Sequence, residues 1–195
     1  MAIGMTRAEI NEKFGPYELV AKFYKGEHRG ILWRSGEKLI EVTATSNSEA
    51  KEMIEARFYE RGLKRAAEQG EVVPSDKRMV AALRYIWPHL NAAQEKLLQA
   101  QYRAPGRRMT TMELATVVGW KSHRPVNAHY GRAGFMLFNE VPRVLPISKG
   151  NEAPVYSFAL SIGVGNPEEQ GDKAWIWEMR PEVARGLKIA GLVST

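Results

Sequence analysis

Residues 107–134 read RRMTTMELATVVGWKSHRPVNAHYGRAG, and their pattern predicts two short helices meeting at a tight corner. Thr110 followed three residues later by Glu113 is a capping-box pair, which gives the first helix a physical reason to begin there. Leu114, Ala115 and Val118 supply its inner face, and Gly119 can end it, since glycine takes the left-handed conformation that closes a helix. Ser122 is the expected cap of the second helix, with Pro125 inside the first turn, where a missing N–H does no harm. Val126, Tyr130, Ala133 and Leu137 then recur at helical spacing as the inner stripe. The outer face follows by subtraction: Lys121, His123, Arg124, Asn127, Ala128, Gly131 and Arg132.

Working outward, the chain from residue 77 has helical periodicity. KRMVAALRYIW stops at Pro88, and NAAQEKLLQAQYRA stops at Pro105 and Gly106, because proline can neither donate nor continue a helix. After Pro142 and Pro146 the pattern turns to strands. VYSFALSIGV puts Tyr156, Phe158, Leu160 and Ile162 on one face, AWIWEM puts Trp175 and Trp177 on one face, and GNPEEQGDK between them reads as an exposed hairpin loop. PEVARGLKIAG is a final helix opening on Pro181 and ending near Gly191.

Toward the amino terminus, residues 17–44 alternate apolar and polar positions and break at KGEHRG and RSGEK, predicting three antiparallel strands joined by tight turns. Leu19, Ala21 and Phe23 share a face of the first, and Ile40, Val42 and Ala44 share a face of the third. The middle strand is ambiguous, with Ile31 and Trp33 opposed to Leu32. A helix carrying Ala50, Met53, Ile54 and Phe58 follows, and QGEVVPSD marks a linker near residues 69–76. The expected fold class is therefore α+β: a three-stranded antiparallel sheet with one helix over residues 1–70, then a helical unit with a β-hairpin and a last helix over residues 77–195.

The 195-residue chain has a net charge of +6 and a pI near 9.5, which favours a polyanionic partner through long-range attraction and counterion release. Between residues 105 and 149 seven basic residues face two acidic ones, Glu113 and Glu140, a local net of +5. The chain contains no cysteine, which excludes disulfides and thiolate metal sites. No leader and no membrane span is expected, so the expectation is a cytoplasmic protein with no membrane partner.

The corner at residues 110–139 resembles a helix-turn-helix, with a small Ala in the first helix and a Gly in the turn. That resemblance implies a recognition helix at 122–139 entering the major groove of double-stranded DNA. Arg124, Asn127, His123 and Ala128 would then face base edges, since Arg pairs with guanine and Asn with adenine. Arg107, Arg108, Lys121 and Arg132 would sit on phosphates, where they position and do not specify. The turn is one residue longer than the commonest pattern before Val126. The strands at 155–163 and 174–179 would be the β-wing of a winged helix, with the acidic PEEQGD tip arguing against phosphate contact. Separately, residues 17–66, with EAKEMIEA as the most family-like piece, resemble the arm-binding domains of phage integrases and the related plant ethylene-response DNA-binding fold. Carried over, Lys22, Tyr24, Arg29, Trp33 and Arg34 are candidate sheet contacts to DNA. The plain structural alternatives are a solvated two-helix corner and a small module for protein contacts with Trp33 in its core.

Catalytic chemistry finds little support. Asp occurs only at Asp76 and Asp172, so Asp-rich cation clusters are hard to assemble. His123, Asn127 and His129 superficially resemble a His-Asn-His nuclease but crowd into one predicted helix. SIGVGNPEEQG lacks the Lys-Ser/Thr of a phosphate loop. The sequence points to a non-enzymatic, sequence-specific duplex-DNA-binding protein without catalytic residues, metal or cofactor, either a transcriptional regulator or a phage or mobile-element accessory factor. A homodimer would suit a palindromic site. The competing expectations are a protein-binding component or inhibitor in a defence or anti-defence system, and a DNA-recognition subunit of a restriction-modification enzyme.

Overall fold

The computed structural model describes residues 9–70, 72–148, 153–164 and 176–194. The chain divides into two compact units, residues 1–64 and 65–195.

The first unit is a four-stranded antiparallel sheet in the order β1 (Ile10–Phe14), β2 (Tyr17–Tyr24), β3 (Glu27–Arg34), β4 (Glu37–Ala44), followed by helix α1 (Asn47–Gln69), whose last residues belong to the second unit. Two of its turns have both central residues at positive φ, Lys25-Gly26 at 51° and 91° and Ser35-Gly36 at 50° and 86°, the conformation whose twist matches the flanking strands. Leu19 lies opposite Leu32 and Ala21 opposite Gly30, and these residues with Tyr17 and Val42 form the buried face. Ala50, Ile54 and Phe58 of α1 cover it. Gly30 makes that close approach possible, because a Cβ there would lie 2.9 Å from the Ala50 carbonyl and 3.1 Å from Ile54.

The sheet therefore has four strands, not the three expected. β1 falls on INEKF, whose alternation is masked by polar residues: Phe14 stacks on Tyr17, while Glu12 turns to Lys51 of α1 with a 2.6 Å ion pair. The ambiguity of β3 resolves through its partners, since Leu32 faces the helix and Ile31 and Trp33 face the other way. Trp33 is thus no core residue. Phe23 ends its row partly exposed, edge-on to His28.

The second unit is built from α2 (Asp76–Ile86), α3 (Ala92–Arg103), α4 (Thr111–Val117), α5 (Arg124–Glu140) and α6 (Pro181–Ala190), with a second sheet of β5 (Arg108–Thr110), β6 (Ser161–Val164) and β7 (Ile176–Met179) in the order β5-β7-β6. One apolar core joins all of these helices to Leu160, Trp177 and Met179. α6 crosses α2 at Gly186, where a Cβ would meet Met79 at 2.6 Å and Leu83 at 2.8 Å. α6 begins at Pro181 and closes on Gly191 at φ 73°, as its end residues predict.

Three sequence expectations change here. Residues Tyr156–Ala159 form a 3₁₀ turn, so only Ser161–Val164 is strand. The cause is packing: the Tyr156 carbonyl rests where a side chain on Gly134 of α5 would stand, and the Tyr156 ring meets Phe135 and Phe138 edge-on. Residues Arg108–Thr110 form a strand that pairs with β7. His123, not Ser122, is the N-cap of α5, and it makes no side-chain capping bond. Trp175 and the GNPEEQGDK loop lie outside the described residues.

Candidate nucleic-acid interface

The α4–α5 corner is built by local chemistry and held by a buried network. At the start of α4, the Thr110 hydroxyl accepts the Glu113 N–H at 3.1 Å while the Glu113 carboxylate accepts the Thr110 N–H at 2.7 Å, the reciprocal pair expected from sequence. Gly119 turns the chain at φ 76°, and the Trp120 N–H returns to the Ala115 carbonyl at 2.9 Å. Val126, Tyr130, Ala133 and Leu137 are all buried. The Tyr130 hydroxyl donates to the Gln101 side-chain oxygen, which also accepts from Ser161 at 3.1 Å, and the Gln101 amide donates to the Trp177 carbonyl at 3.0 Å. Burial pushes the Tyr130 phenol well above its ordinary pKa, so it remains a neutral donor. A fully satisfied buried network of this kind fixes position, and here it ties α5 to α3, β6 and β7.

His129 closes the other side of the corner. It is half-buried, its ring lies 4.8 Å from that of Trp120, and its carbonyl accepts from Gln94 at 3.1 Å. Burial, and then Arg132, lower its pKa. The structure thus separates His129 from the exposed His123 and Asn127, with which sequence spacing had grouped it. Trp120, which buttresses the turn, escaped the sequence analysis, although a Trp directly after the turn glycine was the available signal.

Lys121, His123, Arg124, Asn127, Ala128 and Arg132 are exposed. Among the described residues, the side chains of Lys121, His123, Arg124, Asn127 and Arg132 make no hydrogen bond or ion pair. The first turn of α5 holds no acidic residue and no side-chain cap, so neither its remaining N–H groups nor the positive end of the helix dipole is compensated from within that turn. No Asp or Glu occurs between Glu113 and Glu140. The two arginines before α4 are placed differently. Arg108 is paired with Glu178 at 2.7 Å, and Arg107 lies over the Tyr102 ring at 5.7 Å.

In the first unit, Lys22, Tyr24 and Arg29 line a shallow depression of about 310 Å³ on the uncovered face of the sheet, with Val20, Ile31 and Glu41. Arg29 is 3.3 Å from Glu27 and 3.8 Å from Glu41, and its guanidinium lies 6.0 Å from the Tyr24 ring. Lys38 holds Glu41 at 2.6 Å, and that hydrogen bond lowers the Glu41 pKa. Trp33 lies on the same face opposite Glu18. Arg34 does not join this set, because it pairs with Tyr17 on the face that α1 covers.

No helix of the described residues is long and apolar enough to cross a membrane, and among those residues no group of three or more His, Cys, Asp or Glu is placed to hold a metal ion. No protein-family model, curated protein or solved structure matches the chain.

Proposed function

We propose that the second unit is a winged-helix-like helix-turn-helix that binds double-stranded DNA in a sequence-specific way, with the amino-terminal half of α5 in the major groove. The observation that carries this reading is the uncapped first turn of α5, where Arg124, Asn127 and His123 are exposed, unpartnered among the described residues, and far in sequence from any carboxylate. Uncommitted donors at a helix N-terminus suit phosphates and base edges. Arg124 and Asn127 are the base readers, Ala128 allows close approach, and Lys121 and Arg132 rest on phosphates. Arg107 joins them. Arg108 contributes less, because Glu178 already neutralises it. The pairing of β5 with β7 supports the winged assignment, since it ties the hairpin after α5 to the segment that opens α4. The role is that of a non-enzymatic regulator or mobile-element accessory factor, acting without a cofactor in the cytoplasm; a homodimer would match a two-fold site.

Selection of bound duplexes from a random DNA pool tests this proposal. Enrichment of a short motif, with affinity that falls steeply as salt rises, is the expected result. Binding without any enriched motif, or none at low salt, would overturn it.

A different observation favours a protein partner for the first unit. Its uncovered sheet face interleaves Lys13, Lys22, Arg29 and Lys38 with Glu18, Glu27 and Glu41, and Lys13, Arg29 and Lys38 each stand against one of these carboxylates, a mixture suited to mixed-charge protein surface more than to a phosphate backbone. A partner that survives nuclease digestion in pull-down with the full chain, and is lost on Trp33→Ala, is the expected outcome.

A further inference from the structure

Past the carboxy end of α5, the segment that follows it meets the start of α6 in a cavity of about 530 Å³ lined by Arg143, Arg180, Val73, Val144, Leu145 and Pro146. Its polar wall is unusual in composition. Two guanidinium groups share one carboxylate, with Arg143 donating to Glu182 at 2.6 Å and Arg180 standing 3.9 Å from the same oxygen. These side chains are largely withdrawn from water, at 12% exposure for Arg143 and 19% for Arg180. Arg180 spends its Nε–H on the Phe158 carbonyl at 2.6 Å. Among the described residues the two arginines make no other side-chain hydrogen bond, so both terminal nitrogens of Arg180 and two nitrogens of Arg143 remain as donors.

The electrostatics of the cluster are those of an unmatched charge. Burial, and then the neighbouring Arg143, pull the Arg180 guanidinium down to about 10, against the opposing pull of Glu182. Partly desolvated cations in excess of their carboxylate cost free energy unless paired. The rest of the lining, Gly70, Val73, Val144, Leu145 and Pro146, carries no charge, and the volume lies within the range of small-molecule sites, on the order of 300–1,000 Å³.

We propose that this cavity binds a small organic anion, with a phosphate or carboxylate head held by Arg143 and Arg180 and an apolar body against Val73, Val144, Leu145 and Pro146. Recessed donors favour a small ligand over a duplex, whose backbone reads protruding cations. The site stands apart from the α5 groove, so its failure would leave the DNA proposal untouched.

The test is titration of the full chain with phenyl phosphate, followed by the arginine Nε–Hε signals in NMR, with inorganic phosphate and benzoate as parallel arms at matched ionic strength. Saturable shifts at Arg143 and Arg180 are expected, with phenyl phosphate or benzoate binding about tenfold or more tightly than inorganic phosphate because of the apolar body. The tighter of the two names the head group. Arg180→Gln leaves Arg143 on Glu182 and should weaken binding by about tenfold or more. Val144→Asp, at an exposed position, should weaken it similarly without disturbing the core, which covers the case in which Arg180→Gln fails to fold. Absence of saturation in every arm, unchanged affinity in both variants, shifts confined to Arg124 and Arg132, or displacement of phenyl phosphate by a short duplex would each overturn the proposal.

Discussion

The uncovered face of the sheet and the amino-terminal half of α5 are both rich in cations and both solvent-facing, yet they are different surfaces. On the sheet, Arg29 lies between Glu27 and Glu41, and Lys38 binds Glu41. Its charges are largely answered from within. On α5 and the turn before it, Lys121, Arg124 and Arg132 have no carboxylate partner among the described residues, and the helix start has neither acid nor cap. A count of basic residues treats the two alike; what separates them is whether a carboxylate stands within reach. The same lesson applies inside the basic stretch from 105 to 149, where Arg108 and Arg143 are paired by Glu178 and Glu182, residues far along the chain.

The largest effect that breaks this comparison is loss of the seat of α5 itself. In Gly134→Ala the new Cβ overlaps the Tyr156 carbonyl, a backbone atom that cannot rotate away, and overpacking of this severity should cost about 3 kcal/mol or more. Gly30→Ala, with the Ala50 carbonyl at 2.9 Å, should cost less, about 1–3 kcal/mol. Chemical denaturation of the two variants checks the order. Next comes the groove. Arg124→Ala should weaken duplex binding by about 1–3 kcal/mol and relax selectivity at one base pair, while Arg29→Ala should leave it nearly unchanged, since Glu27 and Glu41 already hold that guanidinium. Equal losses in the two variants would erase the distinction between the faces. A smaller change is expected of Lys121→Ala, which should lower affinity evenly across sequences and reduce the slope of log affinity against log salt by about 1.

The smallest expected effect sharpens the comparison through pH. His129 has a folded pKa below its ordinary value of 6.5, through burial and then Arg132. The unfolded chain therefore takes up this proton first as pH falls below 6.5. Stability from this group is fully present above that value and is lost progressively as pH falls toward the folded pKa. Melting temperatures of the parent should thus drop more steeply between pH 6.5 and 5 than those of His129→Gln. Parallel curves would show that the contact with Trp120 tolerates the charged ring.

Local pattern was enough for much of this molecule. The capping box at Thr110 and Glu113, the turn at Gly119, the Val126–Leu137 stripe and the Pro181 to Gly191 helix follow from chemistry that acts over a few residues, and the exposure of Arg124 and Asn127 follows from the stripe by subtraction. Tertiary structure alone decided what depends on distant partners. β1 is polar by composition and becomes a strand because β2 offers it an edge. Tyr156–Ala159 has strand alternation and forms a 3₁₀ turn because Gly134 leaves room for its carbonyl. The Leu32 face of β3 was chosen by α1, and Arg108, Arg143 and Arg180 found carboxylates or carbonyls that spacing could not reveal. Hydrogen bonds across one helical turn are written in neighbouring residues, whereas pairing of strands and pairing of charges is settled by which surfaces the folded chain brings within a few ångströms.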